Sequence, residues 1–328
     1  MKNPLPGART ASKQRRIQKQ QDEKDRSKPA SKGEEKSRGV QAGARKQPDQ
    51  LPAQHVRKPG KEAELELAPR FMAEDYKGSG KLDGMGTIVT GGDSGIGRAV
   101  AVLFAREGAD VAIVYLNEDE DAEATRHYVE AEGRRCILIR GDIKSSDFCR
   151  DVVERTIETF GRLDVLVNNA AFQEHAESIE DITDERLEET LRTNIMGYFL
   201  MARAAVPHLG RGASIINTGS VVGLEGSGHL LDYATTKGAI HAFTKSLAQN
   251  LIDKGIRVNA VAPGPVWTPL NPADAHAKHV EQFGKDEDMK RAAQPEELSP
   301  AYVFLAAPVC AGYITGIVLP VTGSVGAI

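Results

Sequence analysis

The chain has 328 residues, of which 40% are hydrophobic, and a formal net charge of −4 at pH 7, so it is long and apolar enough to bury a substantial core. No stretch approaches the ~20 consecutive apolar residues that a membrane-spanning helix needs, and the N-terminus lacks the apolar segment of a secretory signal. Three cysteines without paired spacing, Cys136, Cys149 and Cys310, argue against a disulfide framework or a metal site and favour a reducing, cytoplasmic environment.

The charge is divided unevenly along the chain. Residues 1–60 contain 16 Lys and Arg against 6 Asp and Glu, whereas the remaining 268 residues contain 26 against 40. Because residues 1–60 have almost no large apolar side chains, they cannot bury enough surface to offset the entropy of ordering, and we predict a disordered basic tail. A solvated tail is favoured over a nucleic-acid-binding one, since no aromatic residue before Phe71 offers a surface on which bases stack.

A second segment, 61–84, contains more large apolar side chains and precedes the first predicted strand. We expect an ordered N-terminal extension that lies on the body of the protein or on a neighbouring subunit. One domain over 85–328 then follows.

Within that domain, short apolar runs rich in Val and Ile alternate with segments of helical spacing. Strands are predicted at 87–89, 111–115, 136–139, 163–167, 214–217, 256–261 and 317–319, and helices at 95–107, 119–132, 146–160, 184–206, 232–253 and 296–306. This alternation predicts a doubly wound α/β (Rossmann) fold, a mostly seven-stranded parallel sheet with helices on both faces. Ligands of such sheets bind beyond the carboxyl ends of the strands, so the candidate site lies there.

The segment 90–98, TGGDSGIGR, connects the first predicted strand to the first predicted helix. Its glycines allow a tight turn and a close approach of backbone to an anion, and the start of the helix adds N–H groups and a positive dipole end. The segment therefore predicts a binding site for the pyrophosphate of a dinucleotide, formed by Gly91, Asp93, Ser94, Gly95, Ile96 and Gly97.

Small or polar residues follow the other strands at the same edge of the sheet. Asp142 and Ile143 follow the third strand, where a carboxylate and a backbone group meet the edge of an adenine ring. Asn169 and Ala170 follow the fourth strand and are small where a bulky side chain would block a cofactor. The segment 218–220, TGS, follows the fifth strand, and the segment 263–269, PGPVWTP, follows the sixth. Five such strand ends on one edge indicate a ligand site better than they indicate packing.

An acid–base pair is predicted on the helix that follows the fifth strand. Tyr233 and Lys237 are four residues apart and so lie on one helical face. A nearby ammonium lowers the pKa of a phenol from its ordinary value of about 10, and a phenol tuned in this way exchanges a proton with a carbonyl or alcohol oxygen. Ser220, at the end of the fifth strand, has a hydroxyl that would hold the same oxygen.

Together these motifs resemble the classical short-chain dehydrogenase/reductase family over residues 82–328, and within it a bacterial subgroup that is glucose/ribitol dehydrogenase-like. The residues that carry the resemblance are Gly91-x-x-x-Gly95-x-Gly97, Asn168-Asn169-Ala170, Ser220, Tyr233-x-x-x-Lys237 and Pro263-Gly264. The resemblance implies that Tyr233 is the acid/base, that Lys237 lowers its pKa and hydrogen-bonds the nicotinamide ribose, and that Ser220 positions the substrate. It also implies that Asn194 holds a water in a proton relay, although a buried helix asparagine needs hydrogen-bond partners in any case. A homotetramer is expected.

The resemblance further implies a nicotinamide dinucleotide, with Val266 and Thr268 near its carboxamide. The second strand ends at Tyr115, which we also assign to the cofactor site, and is followed by the acidic segment 116–120. Because like charge there disfavours a 2′-phosphate, we predict NAD, with NADP as the alternative that Arg98 would favour.

Two functions follow from these observations. The first is an oxidoreductase that moves hydride between NAD(P)(H) and a carbonyl or secondary alcohol, for which a sugar or polyol is a candidate, with the loop 270–295 acting as a lid over the substrate. The second is a dinucleotide-binding regulatory or scaffold protein with a basic nucleic-acid-binding tail, because fold alone does not fix function. The intact set of Ser220, Tyr233 and Lys237 favours the enzyme. His276 and His279 are three residues apart in the loop, but no carboxylate or cysteine nearby completes a metal site with them, so they are expected to be solvated.

Overall fold

A computed structural model describes residues 7–26 and 39–326 of the chain. Its centre is one seven-stranded, all-parallel sheet with the strand order β3-β2-β1-β4-β5-β6-β7. The strands are β1 (Gly86–Thr90), β2 (Asp110–Tyr115), β3 (Cys136–Arg140), β4 (Leu163–Asn168), β5 (Leu209–Thr218), β6 (Arg257–Pro263) and β7 (Val318–Val321). The doubly wound fold predicted from the sequence is therefore confirmed. The strand order reverses between β1 and β4, which is where ligands of such sheets bind.

The described residues also form eleven α-helices, several of which cover the two faces of the sheet. They are α1 (Ala8–Asp25), α2 (Gly95–Arg106), α3 (Asp119–Ala131), α4 (Ser146–Phe160), α5 (Asp184–Leu191), α6 (Gly197–Ala205), α7 (Val222–Glu225), α8 (Leu231–Leu251), α9 (Ala277–Gln282), α10 (Pro295–Ala306) and α11 (Pro308–Ala311). One apolar core lies between the sheet and α4, α6 and α8, and a second lies between the opposite face and α2 and α10. Strands buried on both faces explain the continuous apolar runs in the sequence.

The helix predicted over 184–206 is interrupted. A π-helical turn, Arg192–Met196, separates α5 from α6, and a short 3₁₀ turn, Val206–His208, ends the segment. π-Turns within helices occur frequently at functional sites. Asn194 lies inside this one.

The N-terminal segment differs from the prediction of a disordered tail over 1–60. Residues 8–25 form the 18-residue helix α1, and residues 39–60 lie along the body of the protein, with Leu51 and Val56 buried in an apolar cluster around Trp267. The remaining parts of the predicted tail, 1–6 and 27–38, lie outside the described residues.

Polar contacts explain why α1 is ordered despite its composition. Its inward face buries three glutamines along with Ala11 and Ile17. Gln18, one of the three, donates from its side chain to the backbone oxygens of Val56 and Ala273, 2.9 Å from each. The basic side chains of α1 pair with acidic residues of the domain, in the pairs Lys13–Glu189, Arg16–Glu185 and Lys24–Asp181. The positive tail thus complements the negative body.

The segment 61–84 is ordered on the chain's own domain. The indole Nε1 of Trp267 donates to the backbone oxygen of Leu67 at 2.8 Å, and the phenol of Tyr76 donates to Glu107. Among the residues that the structure describes, no helix has both the length and the apolar character needed to cross a membrane.

Candidate active site

A cavity of about 390 Å³ opens at the carboxyl ends of the strands, where the sequence placed the candidate site. Most of the predicted site residues line it: Gly91, Asp93, Ser94, Gly95, Ile96, Tyr115, Asp142, Ile143, Asn169, Ala170, Ser220, Tyr233, Lys237, Pro263, Gly264, Val266 and Thr268. One continuous cavity therefore joins the glycine loop, the adenine-side residues and the predicted acid–base pair.

The glycine loop has the close backbone packing that a dinucleotide site needs. Gly91 has a φ of +62°, and a Cβ on it would meet the Cα of Ala170 at 3.0 Å. A Cβ on Gly97 would lie 1.8 Å from the backbone oxygen of Gly91. Gly97 does not line the cavity but allows α2 to start directly against the loop. The turn, the open cavity and the start of α2 fit the pyrophosphate of a dinucleotide.

A carboxylate from the N-terminal extension already contacts the start of α2. Glu62 accepts a hydrogen bond from the backbone N–H of Gly95 at 2.7 Å, and its other oxygen accepts from Arg98 at 2.5 Å. The helix dipole favours an anion at this position, although burial raises the pKa of Glu62 to about 7. The extension thus contacts the start of α2 beside the cavity, which its sequence did not indicate.

Asp93 and Glu118 are two of the acidic residues that line the cavity. Burial raises the pKa of Glu118 to about 8 and that of Asp93 to about 6. Arg98, the cation that would favour a 2′-phosphate, is buried and donates to Glu62, to the backbone oxygens of Asp93 and Asp121, and to a threonine hydroxyl. Its guanidinium is therefore committed to the protein itself.

The three residues predicted to act on the substrate lie together. The Lys237 Nζ is 5.3 Å from the ring centre of Tyr233 and donates to the backbone oxygen of Thr218 at 2.7 Å. A hydrogen bond with the hydroxyl of Ser220 partly lowers the pKa of the Tyr233 phenol. Tyr233 and Lys237 are 8% and 1% exposed. The helix α8 and the end of β5 thus bring a phenol, an ammonium and a hydroxyl to one wall of the cavity.

The ionisation of this pair differs from the expectation that Lys237 lowers the pKa of Tyr233. Burial dominates: it raises the pKa of Tyr233 well above its ordinary value, and the interaction with Ser220 offsets only part of this. The same desolvation lowers the pKa of Lys237 to about 7, because the charged form loses its water. The phenol is consequently neutral at physiological pH and is able to donate a proton.

Lys237 is expected to destabilise the fold below pH 10. In an unfolded chain the pKa of this lysine is about 10.5, against about 7 in the folded protein, so between these values the unfolded chain holds the proton more tightly. Stability therefore rises with pH over this interval. We predict that Lys237→Met raises the melting temperature at pH 7, and that wild type approaches the variant as pH increases towards 10.5. Calorimetry at several pH values measures this, with the exposed Lys245→Met of the same helix as control; equal melting temperatures at every pH would contradict it.

Asn194 does not line the cavity. It is completely buried, its Oδ1 accepts from the backbone N–H of Phe172 at 2.8 Å, and its Nδ2 donates to the backbone oxygen of Phe172 and to the hydroxyl of Thr236. The amide thus fixes the loop after β4 to α5, α6 and α8. Its part in a proton relay stays a prediction.

Several cavity residues were not predicted from the sequence. Thr10 and Gln14 of α1 line the cavity together with Pro59 and Gly60, and the Thr10 hydroxyl donates to Asp142. Gln173, which follows β4, is a further unpredicted cavity residue. Asn271 and Phe283 also line the cavity, and they belong to the loop 270–295 that the sequence predicted to be a lid. His276 instead caps α9, where its ring accepts from the backbone N–H of His279 at 3.3 Å.

A signal for α1 exists in the sequence. Ala11, Gln14, Gln18, Gln21 and Asp25 recur at intervals of three and four residues, which places them on one helical face. Glutamines on the inward face carry no hydrophobic pattern, so a search for apolar periodicity misses them.

The fold and the cavity define a dinucleotide-dependent oxidoreductase, because a doubly wound sheet with a glycine loop shares its ligand cavity with a buried tyrosine–lysine pair. Comparison with known proteins agrees. The family model described as enoyl-(acyl carrier protein) reductase matches residues 91–325. The chain belongs to the classical short-chain dehydrogenase/reductase family, whose enzymes act on alcohol and carbonyl groups with a nicotinamide dinucleotide. The helix α1 and the extension both precede the matched residues.

Individual relatives are similar in sequence to this chain over most of their length. The chain is 48% identical over 279 residues to glucose and ribitol dehydrogenase of Daucus carota, which covers 83% of this chain and 95% of that protein. It is 48% identical over 276 residues to NADPH-dependent aldehyde reductase 1, chloroplastic, of Arabidopsis thaliana, covering 82% and 96%. A solved short-chain dehydrogenase from Mycobacterium paratuberculosis bound to NAD is similar with a TM-score of 0.67 at 29% identity, covering 75% of this chain and 98% of that one.

Proposed function

We propose that this enzyme transfers hydride between NAD(H) and a carbonyl or secondary alcohol of a small sugar or polyol, with Tyr233 as the acid/base. The observation that carries the proposal is the convergence of Tyr233, Lys237 and Ser220 in the cavity that also contains the glycine loop.

The protein residues supply the proton chemistry. The Ser220 hydroxyl and the Tyr233 phenol share one wall of the cavity and hold the substrate oxygen between them. In the reducing direction the neutral phenol of Tyr233 donates its proton to that oxygen, and in the oxidising direction it accepts one. Lys237, beside the phenol, stabilises the phenolate left after donation. The nicotinamide, when bound, supplies or accepts the hydride.

The dinucleotide would lie along the strand ends. The glycine loop would hold its pyrophosphate, Asp142 and Ile143 its adenine, and Val266 and Thr268 its carboxamide. We propose NAD rather than NADP, because Glu118 lines the cavity after β2 while Arg98 is bonded to Glu62. A 2′-phosphate would therefore lie beside the acidic Glu118 rather than beside the guanidinium of Arg98, which would otherwise pair with it. The relative described as NADPH-dependent makes NADP the alternative.

The substrate class is proposed from two sources. The relatives bear the names glucose and ribitol dehydrogenase and aldehyde reductase, so both a polyol and an aldehyde are compatible with this family. Loop 270–295 closes the cavity with Leu270, Asn271 and Phe283, a mixture of apolar and polar groups suited to a small hydroxylated compound.

A homotetramer is part of the proposal. Four apolar side chains of α5, the π-turn and α6 are exposed to solvent although they are large. They are Leu187, Leu191, Met196 and Phe199, between 36% and 50% exposed. An exposed apolar strip of this kind is typical of an interface between subunits.

A panel of aldehydes, ketones, sugars and polyols, assayed with NADH, NADPH and their oxidised forms by nicotinamide absorbance, tests the function. We expect turnover of at least one small hydroxylated compound and a higher kcat/KM with the nucleotide that lacks the 2′-phosphate. Binding of both nucleotides without turnover of any compound would contradict the enzyme, and a higher kcat/KM with NADPH would contradict the cofactor assignment.

A further inference from the structure

Gln173 belongs to the cavity but has no role in the proton chemistry. It follows the segment Asn168-Asn169-Ala170 at the end of β4 and lines the cavity together with Ser220 and Tyr233. Its side chain is largely buried, at 9% exposed. A buried amide at this position is expensive unless its polar atoms are bonded.

One end of the Gln173 amide is anchored from behind. Its Nε2 donates to the Oδ2 of Asp274 at 2.5 Å. The Oδ1 of Asp274 accepts from the backbone N–H of His175 at 2.8 Å and lies 2.8 Å from the imidazole Nδ1. On the far side of the ring, Nε2 is 2.9 Å from Asp25 of α1. A chain of hydrogen bonds thus runs from the cavity to the N-terminal helix.

This series of hydrogen bonds fixes the orientation of the Gln173 amide. Burial alone would raise the pKa of Asp274, but its hydrogen bonds with His175 and the nearby ammonium of Lys58 hold that pKa below its ordinary value. An ionised carboxylate only accepts hydrogen bonds, so it requires the NH₂ end of Gln173. The other end of the amide, the acceptor Oε1, must then face away from Asp274.

The acceptor at the other end is available to a ligand. Across residues 7–26 and 39–326, no donor is bonded to the Gln173 Oε1. The oxygen is not completely buried, and Gln173 is one of the residues that line the cavity. A substrate that covers this oxygen without offering a donor would leave it unsatisfied, at a cost of ~1–3 kcal/mol.

We infer that Gln173 is a specificity-determining residue, whose Oε1 accepts a hydrogen bond from a substrate hydroxyl other than the one that reacts. The inference rests on the proposed function and deepens it, because it names the residue that recognises a second hydroxyl of the sugar or polyol. Asp274 and His175 are positioning residues in this arrangement, because they hold the amide in the orientation that selects a donor.

Two aldehydes with the same reacting group test the inference. Glyceraldehyde has hydroxyls beside its carbonyl and propanal has none, so wild type should show the higher kcat/KM with glyceraldehyde. Gln173→Met keeps the length of the side chain but removes the acceptor. We expect kcat/KM for glyceraldehyde to fall ~10–100-fold, mainly through KM, as for a site built to bind a hydroxyl, while propanal changes less than threefold. Gln249→Met, the same change at an exposed position of α8, should alter neither.

The results distinguish a failure of the Gln173 inference from a failure of the proposed function. An equal fall for both aldehydes would make Gln173 structural and overturn the inference while leaving the proposed function intact. Quenching of bound NADH fluorescence by glycerol, against propan-1-ol, gives a measurement that does not need turnover. Tighter binding of glycerol in wild type, lost in Gln173→Met, supports the inference even if neither aldehyde is reduced; equal binding of the two alcohols overturns it.

Discussion

Replacing Tyr233 by Phe should reduce kcat by ~10²–10⁴-fold, the range that positioned acid–base groups contribute. The substitution removes one oxygen and retains the ring, which is 8% exposed and packs beside the Lys237 ammonium. The cofactor is held mainly by the glycine loop and the strand ends, so its dissociation constant should change by less than about threefold. Steady-state rates with the best substrate of the panel, together with fluorescence titration of NADH, measure both quantities.

Tyr302→Phe is the matched control for this loss. Tyr302 is completely buried, and its hydroxyl lies 2.8 Å from that of Thr218, but it does not line the cavity. Its variant should lose stability, by ~0.5–1.5 kcal/mol for one hydrogen bond, while kcat stays within a few-fold of wild type. Full turnover by Tyr233→Phe would remove the phenol from the mechanism, and equal losses in both variants would point to general damage to the fold.

The same tyrosine shows what the sequence can and cannot tell about a site. The four-residue spacing to Lys237 is a local property of a helix, and it predicted their common face correctly. The ionisation of the pair depends instead on how much water the surrounding chain removes. Burial was not visible in the spacing, and it moves the pKa of Tyr233 upwards and that of Lys237 down to about 7.

The sheet could be predicted for a related reason. Each parallel strand is buried on both faces and reads as an uninterrupted apolar run, and the glycine loop follows β1 directly. The π-turn at Arg192–Met196 could not be predicted from the sequence, because one extra residue in a helical turn leaves the apolar spacing on either side almost unchanged. Its effect is seen only where the Asn194 amide meets the backbone of Phe172.

Contacts between segments that are distant along the chain could not be predicted from the sequence. Gln173 and Asp274 are separated by 101 residues along the chain, and nothing in either neighbourhood indicates the other. The helix α1 is a similar case, since a polar helix of 18 residues is marginal on its own. It is ordered by ion pairs and buried glutamine hydrogen bonds with α5 and the loops around the cavity, so its stability is a tertiary property.

Replacing Gly97 by Ala should have the largest effect after Tyr233→Phe among the substitutions proposed for this protein. The effect should fall on cofactor binding rather than on proton transfer. The added methyl carbon would lie 1.8 Å from the backbone oxygen of Gly91 and 2.9 Å from the Nδ2 of Asn169. Both contacts are far inside normal van der Waals distance, and the first is with backbone, so the glycine loop itself must move. Overpacking of this kind costs ~1–3 kcal/mol, and each ~1.4 kcal/mol withheld from binding is a factor of ten in affinity.

We therefore expect Gly97→Ala to weaken NADH binding by at least tenfold and to lower the melting temperature. Gly210→Ala is the control, because that glycine lies in β5, has no left-handed φ and would place its methyl carbon more than 4 Å from any other group. Calorimetric titration with NADH and thermal unfolding measure the two effects. A Gly97→Ala variant that binds NADH like wild type would show that the loop accommodates the methyl group by moving away from the cavity, and the assignment of this turn to the pyrophosphate would then be wrong.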